Sequence, residues 1–338
     1  MKSQKASPIL VIGTQRSGSN LLRLILNQSP HIEAPHPPHI LQTFYPLLPR
    51  YGNLQEAQNF LQLCTDVAAF VATNPVPWEN IDLNPQTIFE QSTTPTLIEI
   101  FKTIYELKAN HKKANYWCCK SMGNTHYIPQ IEAAGLRPIY IYLVRDGRDV
   151  AASFKKAVVG EKHIYFIAQQ WLRDQQAALQ HTRAFAPHRT FQIHYENFIQ
   201  NPQASLQPLL NMLHIPWTDS LLEYYQSIEA QQTAQAGEMW QNVVKPIDKT
   251  NTKNYHKKLS QHELNIFQTV CGSMLRKLGY DVDSFEEIHF DATTIAQFEI
   301  ENRILKEEIK ESAVIDAAAR KSQDEVLYGI VKRLKQQT

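Results

Sequence analysis

The segment of residues 8–22 constrains the fold of this chain more than any other. An apolar run, Ile9 to Ile12, comes first and has the composition of a buried parallel strand. A turn that contains Gly13 and Gly18 follows, and Ser19 then opens an apolar-rich stretch that predicts a helix. A strand, a glycine-containing loop and a helix direct backbone N–H groups and a helix N-terminus at an anion. The segment therefore predicts an anion-binding loop.

The side chains of this loop add a cation and several hydroxyls. Arg16 lies in the middle of the loop, and Thr14, Ser17 and Ser19 carry the hydroxyls. The Gly-x-x-x-x-Gly spacing matches the first half of a nucleoside-triphosphate P-loop, but Ser19 stands where that motif needs lysine. This departure argues against an ordinary ATPase or kinase. A plain strand–turn–helix connection stays open as an alternative for the loop taken alone.

A second segment, residues 142–153, has the sequence Tyr-Leu-Val-Arg-Asp-Gly-Arg-Asp-Val-Ala-Ala-Ser. It predicts a strand that ends at Arg145, with Ser153 eight residues further along. The two segments resemble the 5′-phosphosulfate loop and the 3′-phosphate element of the sulfotransferases that use 3′-phosphoadenosine 5′-phosphosulfate (PAPS). The resemblance extends over about residues 8–281, with 51–115 unassigned. It implies transfer of the sulfonate of PAPS to an acceptor hydroxyl, which gives a sulfate ester and adenosine 3′,5′-bisphosphate.

Further apolar runs predict the rest of a sheet. They occupy residues 116–120, 138–144 and 190–196, and helical patterns separate them. Strands that alternate with helices predict an α/β fold with a mainly parallel central sheet flanked by helices. The resemblance implies that this fold is P-loop-like. Because Arg16, Lys120 and Arg145 each follow a strand, we expect them to converge beyond the carboxyl ends of the strands, where such folds bind ligands.

The chain divides by composition into two unequal parts. We expect a sulfotransferase domain over residues 1–290, in which 51–115 form a helical insertion of unassigned role. A C-terminal helical extension follows over residues 291–338; it is rich in charge, and its apolar residues predict two helices or one long helix. Packing onto the main domain and a homodimer contact are both open as roles for this extension.

The resemblance implies a role for individual residues. Arg16 would lie against the 5′-phosphate or the bridging oxygen, and Lys120 would contact the transferring sulfonate. Arg145 and Ser153 would hold the 3′-phosphate, the group that distinguishes PAPS from ordinary nucleotides. The residues expected to bind the nucleotide are Thr14, Gln15, Arg16, Ser17, Gly18, Ser19, Asn20, Arg145, Ser153, Tyr195, Lys253 and Asn254.

The base that removes the acceptor proton is expected in the loop after the first helix, where the resemblance implies a Glu or a His. By position His36 is the first candidate and His39 the second, and Glu33 is a weaker option. A histidine has an ordinary pKa near 6.5 and accepts a proton at neutral pH. For each histidine the alternative is a structural role in a turn, because residues 29–49 contain six prolines.

The composition bounds the partners and the compartment. A net charge of +1 gives no overall field that attracts nucleic acid or an acidic membrane. The four cysteines have no metal-ligand spacing, so we expect buried thiols, no metal and a reducing, cytoplasmic location. No apolar stretch has the length of a membrane span, and the polar N-terminus does not resemble a signal peptide.

The sequence leaves the acceptor open among carbohydrates, lipids, other small alcohols, phenols and protein tyrosine. It also leaves two other activities to weigh against sulfonyl transfer. One is a P-loop-type nucleotide kinase, which would depend on magnesium. The other is a non-catalytic nucleotide-binding scaffold that uses its C-terminal helices to bind partners.

Overall fold

A computed structural model of the protein describes residues 5–336, apart from the side chain of Ser312. The outermost residues of the two expected units, 1–4 and 337–338, lie outside the described part. Within it, parallel strands form one sheet: β1 (Ser7–Gly13), β2 (Ile32–Glu33), β3 (Tyr116–Cys119), β4 (Ile139–Val144) and β5 (Thr190–His194). Their order across the sheet is β2–β3–β1–β4–β5.

The sheet is buried on both faces, because the side chains of each strand alternate between two apolar cores. On β1, Leu10 and Ile12 belong to one core, and Ile9 and Val11 belong to the other. None of these four side chains is exposed to solvent. The α/β fold with a parallel central sheet flanked by helices is therefore confirmed.

Helices account for most of the remaining chain. The α-helices are α1 (Ser19–Asn27), α2 (Ile40–Phe44), α3 (Ala57–Ala72), α4 (Pro85–Gln91), α5 (Leu97–Lys112), α6 (Ile128–Ala133), α7 (Gly147–Phe154), α8 (Ile164–Phe185), α9 (Tyr195–Gln200), α10 (Pro202–Met212), α11 (Ile228–Gln235), α12 (Tyr255–Lys258), α13 (Gln261–Lys277), α14 (Ala292–Ser312) and α15 (Val314–Gln336). Helices of the 3₁₀ type cover Tyr45–Tyr51, Met122–Tyr127, Asp219–Gln226 and Glu238–Val244.

Two boundaries differ from the expected ones. The strand predicted over residues 190–196 ends at His194, its last paired residue, and Tyr195 and Glu196 begin α9. The proline-rich segment after α1 contains the short strand β2, which pairs with β3 at the edge of the sheet. Two residues are too few to give a readable alternation, and prolines surround them. Helix α13 begins with a capping box, in which Ser260 and Glu263 each bond the other's backbone N–H.

The C-terminal extension forms two helices that pack onto the main domain. Phe298 of α14 and Ile330 and Leu334 of α15 belong to the larger of the two cores. An ion pair between Arg333 and Asp66 joins α15 to α3, the first helix of the 51–115 insertion. Among residues 5–336, no helix combines the length and the apolarity needed to cross a bilayer.

Candidate active site

The loops that follow β1, β3 and β4 open into a cavity of about 1210 Å³ at the carboxyl ends of the strands. Arg16, Lys120 and Arg145 all line it, as their positions after strands led us to expect. Eight Lys and Arg side chains line this cavity against four Asp and Glu side chains. The surplus of positive charge, held in a concave and partly desolvated space, suits an anionic ligand.

Glycine is required at both ends of the β1–α1 loop. Gly13 has φ 121°, and a Cβ built there would lie 2.6 Å from the carbonyl oxygen of Leu143. Gly18 has φ 86° and precedes α1; a Cβ there would lie 2.4 Å from the ring of Tyr195. Tyr195 therefore packs directly on the loop. The N–H of Gly13 donates to the hydroxyl of Thr125 at 2.9 Å, which fixes the start of the loop.

Arg16 adopts the left-handed backbone conformation, φ 69°, in the middle of this loop. Its Nε donates to the hydroxyl of Ser153 on α7 at 3.1 Å, and a terminal nitrogen lies 3.4 Å from the carbonyl oxygen of Met239. Burial and the positive charge of Arg145 lower the pKa of Arg16 to about 10. The side chain therefore remains a cation at neutral pH, but at a cost that a bound anion would relieve.

Arg145 joins the two expected phosphate-binding elements. One terminal nitrogen donates to the carbonyl oxygen of Arg16 at 3.1 Å, and the other to that of Asn251 at 3.2 Å. The guanidinium lies 4.2 Å above the ring centroid of Tyr195, and 3.9 Å separates it from the carboxylate of Asp149. Its Nε is buried and has no hydrogen-bond partner among the described residues. Arg145 thus has one unsatisfied donor in the ligand-free protein.

The hydroxyls of the loop do not all face the cavity. Thr14 is fully buried, and its Oγ1 accepts a hydrogen bond from Gln175 of α8 at 2.8 Å. Thr14 can therefore reach a ligand only through its backbone. Ser17 is also buried, and its Oγ has no partner among the described residues. The loop residues that line the cavity are Gly13, Gln15, Arg16, Gly18, Ser19 and Asn20.

The segment that precedes α12 contributes residues other than those expected. Asn254 lines the cavity, but Lys253 is exposed and does not line it. Asn251, which the sequence did not single out, lines the cavity and donates from its side chain to the hydroxyl of Tyr195 at 2.9 Å. It also accepts from Arg145 through its backbone. This segment therefore braces two of the expected nucleotide-binding residues.

Lys120 follows β3, and its side chain is 7% exposed at the cavity wall. Burial, together with the positive charges of Arg23 and Arg16, lowers its pKa from 10.5 to about 7. No carboxylate of residues 5–336 forms an ion pair with it. A lysine in this setting is charged in only part of the ligand-free molecules at pH 7.

The three candidate bases occupy different places. His39 lines the cavity at the start of α2, and burial together with the charge of Lys120 lowers its pKa to about 3. His36 lies behind the wall, where its ring meets Trp240 edge-on with centroids 4.9 Å apart. Burial holds the pKa of His36 well below its ordinary value. Glu33 lies on β2, away from the cavity lining, with its carboxylate 3.5 Å from Lys108.

A further histidine lines the cavity, and the sequence did not single it out. His126 lies on the 3₁₀ helix after β3, and its Nε2 is 2.8 Å from Asp174 of α8. Both residues line the cavity. The two are separated by 48 positions, and no local pattern relates them. Only the packing of α8 across the end of β1 brings them together.

Known proteins resemble this chain in sequence and in fold. A family model described as "Sulfotransferase family" matches residues 8–219. A putative protein-tyrosine sulfotransferase of Caenorhabditis briggsae is 23% identical over 286 residues, which cover 82% of this chain and 90% of that protein. An uncharacterized protein of Aquifex aeolicus is 23% identical over 235 residues, 67% of this chain but 28% of that protein. The chain thus spans less than a third of the Aquifex protein.

Two solved structures share the fold. The sulfotransferase domain of the olefin synthase of Synechococcus PCC 7002 superposes with a TM-score of 0.56 at 18% identity, over 84% of this chain and 98% of that domain. A sulfotransferase domain from the curacin biosynthetic pathway gives 0.53 at 20% identity, over 83% of this chain and all of that domain. These likenesses support the expected P-loop-like α/β fold. Because the family model matches more than half of the chain, the protein belongs to the sulfotransferase family.

Proposed function

We propose that the protein transfers the sulfonate of PAPS to an acceptor hydroxyl. The observation that carries this proposal is the 3.1 Å hydrogen bond from Arg145 to the carbonyl oxygen of Arg16. It joins the expected 3′-phosphate element to the 5′-phosphosulfate loop at one wall of a cation-rich cavity. A nucleotide with anionic groups on both its 3′ and 5′ positions suits this pair of sites, because each supplies its own guanidinium.

The 5′-phosphosulfate of the donor would bind at the start of α1. Ser19 and Asn20 line the cavity there, and the backbone N–H groups and the positive end of the helix favour an anion. Arg145 would hold the 3′-phosphate with its unpaired Nε. Ser153 would bind between the two groups, since its hydroxyl already contacts Arg16.

In the reaction, the acceptor oxygen would attack sulfur in line with the bridging oxygen of PAPS. The bond between acceptor oxygen and sulfur forms, and the bond between sulfur and the bridging oxygen breaks. Adenosine 3′,5′-bisphosphate leaves with that electron pair, so negative charge grows on its 5′-phosphate. Arg16 and Lys120 would stabilise this charge. The negative charge of the bound donor would also raise the pKa of Lys120 from about 7, which keeps it a cation in the complex.

We assign the proton of the acceptor hydroxyl to His39, because His39 lines the cavity and His36 lies behind its wall. Its lowered pKa keeps it neutral, and therefore able to accept a proton, at neutral pH. An anionic donor in the cavity would raise that pKa toward the useful range. His126 is the second candidate, because it lines the cavity and its bond to Asp174 fixes the orientation of its imidazole.

We propose a small molecule, a lipid or a carbohydrate as the carrier of the acceptor hydroxyl. The likeness to a putative protein-tyrosine sulfotransferase keeps the phenol of protein tyrosine, which the sequence left open, among the acceptor classes. The family match favours sulfonyl transfer over a nucleotide kinase and over a scaffold without activity.

Binding of adenosine 3′,5′-bisphosphate tests the donor assignment without knowledge of the acceptor. We expect it to bind better than AMP and to raise the melting temperature, since a ligand at 100 times its Kd adds about 2.7 kcal/mol to stability. Arg145→Ala should remove a charge-assisted contact worth about 1.5–3 kcal/mol and most of the preference over AMP. The measurement is a thermal shift series backed by calorimetric titration.

Arg183→Ala is the matched control, because Arg183 is an exposed arginine of α8 outside the cavity lining. It should leave both affinities unchanged. Equal binding of AMP and adenosine 3′,5′-bisphosphate by the unmodified protein would refute the donor assignment.

A further inference from the structure

The helix α15 forms part of the cavity wall, although it lies outside the residues that the family model matches. Arg320, in the second turn of α15, lines the cavity. The helix is held in place on the C-terminal side of this residue. Gln323 donates to the carbonyl oxygen of Phe70 at 3.0 Å, and the ion pair of Arg333 with Asp66 follows further along. Arg320 is thus presented by a fixed element.

The first turns of α15 also contact the cavity rim directly. The carboxylate of Asp316 accepts a hydrogen bond from the backbone N–H of Glu238 at 3.1 Å, and Asp316 is 2% exposed. Gly237 is needed for this approach, because a Cβ there would lie 2.4 Å from Asp316. Ala319 packs against the buried cluster that contains Trp240. The side of α15 that carries Arg320 therefore faces the cavity.

The guanidinium of Arg320 forms no ion pair in the described part of the chain, and the carboxylates of Asp316 and Asp324, one turn to either side on α15, act on it only at longer range. Its carbon lies 5.5 Å from the ring centroid of Trp240, and its Nε is buried without a hydrogen-bond partner. Ion pairs of residues 5–336 on this helix include Lys321 with Glu325, but none involves Arg320. Burial of this guanidinium with an unpaired donor is costly; Asp316 and Asp324 offset part of the cost, and a bound anion would offset more.

Arg320 lies over Trp240 at the cavity wall, near enough to Lys120 and His39 for its charge to act on both. Its charge lowers the pKa of Lys120 and of His39, the residues proposed to act on the sulfonate and on the acceptor. Arg145, at the 3′-phosphate element, instead lowers the pKa of Arg16. The donor phosphates therefore have their own guanidinium groups, and Arg320 is left for a different anion.

We propose that Arg320 forms an anion subsite for the acceptor, so that the enzyme selects hydroxyl compounds that also carry a carboxylate, sulfate or phosphate group. This proposal rests on the proposed function, because it takes the other anion sites to hold the donor. It gives the C-terminal extension a part in substrate selection. Arg320 would position the acceptor through its charged group and take no part in the bond changes at sulfur.

Inorganic sulfate is the probe, titrated by calorimetry onto protein saturated with adenosine 3′,5′-bisphosphate. We expect one sulfate to bind, and Arg320→Gln to weaken this binding by about tenfold or more while the affinity for the nucleotide changes less than twofold. Arg320→Lys should retain part of the sulfate affinity. Lys321→Gln is the matched control, because Lys321 is the next residue of α15, its side chain is 74% exposed and it lies outside the cavity lining.

Three results would overturn the subsite. The first is that the nucleotide complex binds no sulfate. The second is that Lys120→Met abolishes sulfate binding and Arg320→Gln does not, which would place the anion at the position of the transferring sulfonate. The third is that Arg320→Gln lowers nucleotide affinity tenfold, which would assign Arg320 to the donor site. Failure of the proposed function is separate, since it appears as equal binding of AMP and adenosine 3′,5′-bisphosphate. Acceptors should also be compared as a carboxylate and the matching primary amide. Turnover should be faster with the carboxylate, and Arg320→Gln should remove this difference.

Discussion

Single residues of the cavity combine burial with like charge. Arg16, Lys120 and Arg320 each have a lowered pKa, and desolvation is the largest cause for all three. Such an arrangement stabilises a bound polyanion because no rearrangement is needed to surround it with cations. It also destabilises the ligand-free protein, because these groups repel one another and have lost most of their water. Stability and ligand binding are therefore in opposition here.

Lys120→Met tests this opposition. The folded-state pKa of Lys120 is about 7, below the ordinary value of 10.5, so the cost of its buried charge is complete below pH 7 and disappears as the pH rises to 10.5. The variant should melt a few degrees above the unmodified protein at pH 6, and the difference should shrink toward pH 9–10. Turnover should fall by about 10²-fold or more. A lower melting temperature at pH 6 would contradict this account.

The choice of base is also decided at this scale. His39→Asn should reduce turnover by about 10²-fold or more, while His126→Asn should reduce it by less than tenfold. Neither change should weaken binding of adenosine 3′,5′-bisphosphate by more than a few fold. The measurement is turnover with an acceptor found by a broad panel, supplemented by titration of the nucleotide. If the two variants exchange these behaviours, the pair of His126 with Asp174 is the base.

The sequence predicted the positions of site residues that directly follow strands, and it did not predict positions that depend on packing between distant parts of the chain. Arg16, Lys120 and Arg145 follow strands, and parallel strands bring their carboxyl ends together whatever the rest of the chain does. His36 and His39 are only three residues apart, and no periodicity applies in a proline-rich loop. The positive φ of His39, 60°, turns the chain so that its ring meets the cavity. His36 instead packs on Trp240, which the sequence could not bring near it.

At the scale of elements, apolar periodicity located the long helices and the central strands. The elements that it missed are short or polar. Residues 230–255 are mostly polar or small and have the composition of a loop, yet most of helix α11 and the 3₁₀ helix Glu238–Val244 lie within them. Contact with the domain holds α11 in place: Arg23 of α1 donates to the hydroxyl of Thr233 at 3.0 Å and pairs with Glu229 at 2.5 Å. Such long-range polar contacts leave no local pattern.

The loop between α7 and α8 shows how distant elements shape the cavity. Lys156, Val159 and Gly160 of this loop line the cavity. Asn302 of α14 accepts hydrogen bonds from the backbone N–H groups of Lys162 and His163 at 2.8 and 2.9 Å. The loop is therefore fixed at its far end by the C-terminal extension. The composition of residues 155–163 alone carries no sign of that support.

At the scale of the whole molecule, the expected division at residue 290 does not correspond to two separate cores. Residues of α14 and α15 contribute to the same core as α3, α5 and α8. The insertion of residues 51–115, to which no role could be given from sequence, forms the surface that receives α15. Charge content marked the extension as different from the rest, but charge content does not reveal what a helix packs against. We therefore expect the described chain to unfold as one unit.

Arg333→Met tests whether the extension and the main domain form one cooperative unit. Asp66 is 4% exposed on its side chain and accepts from Tyr51 at 2.6 Å and Gln62 at 3.0 Å, in addition to its ion pair with Arg333. Arg333→Met leaves the buried carboxylate of Asp66 without its cation, so the melting temperature of the whole chain should fall by several degrees. Far-ultraviolet circular dichroism and tryptophan fluorescence should shift together, because Trp117 and Trp171 lie in the shared core.

Lys332→Met, an exposed change on the same turn, should leave both melting transitions unchanged. If α15 melted at a lower temperature while the tryptophan signal kept its midpoint, the extension would be a separate unit, and the wall that carries Arg320 would open before the domain unfolds.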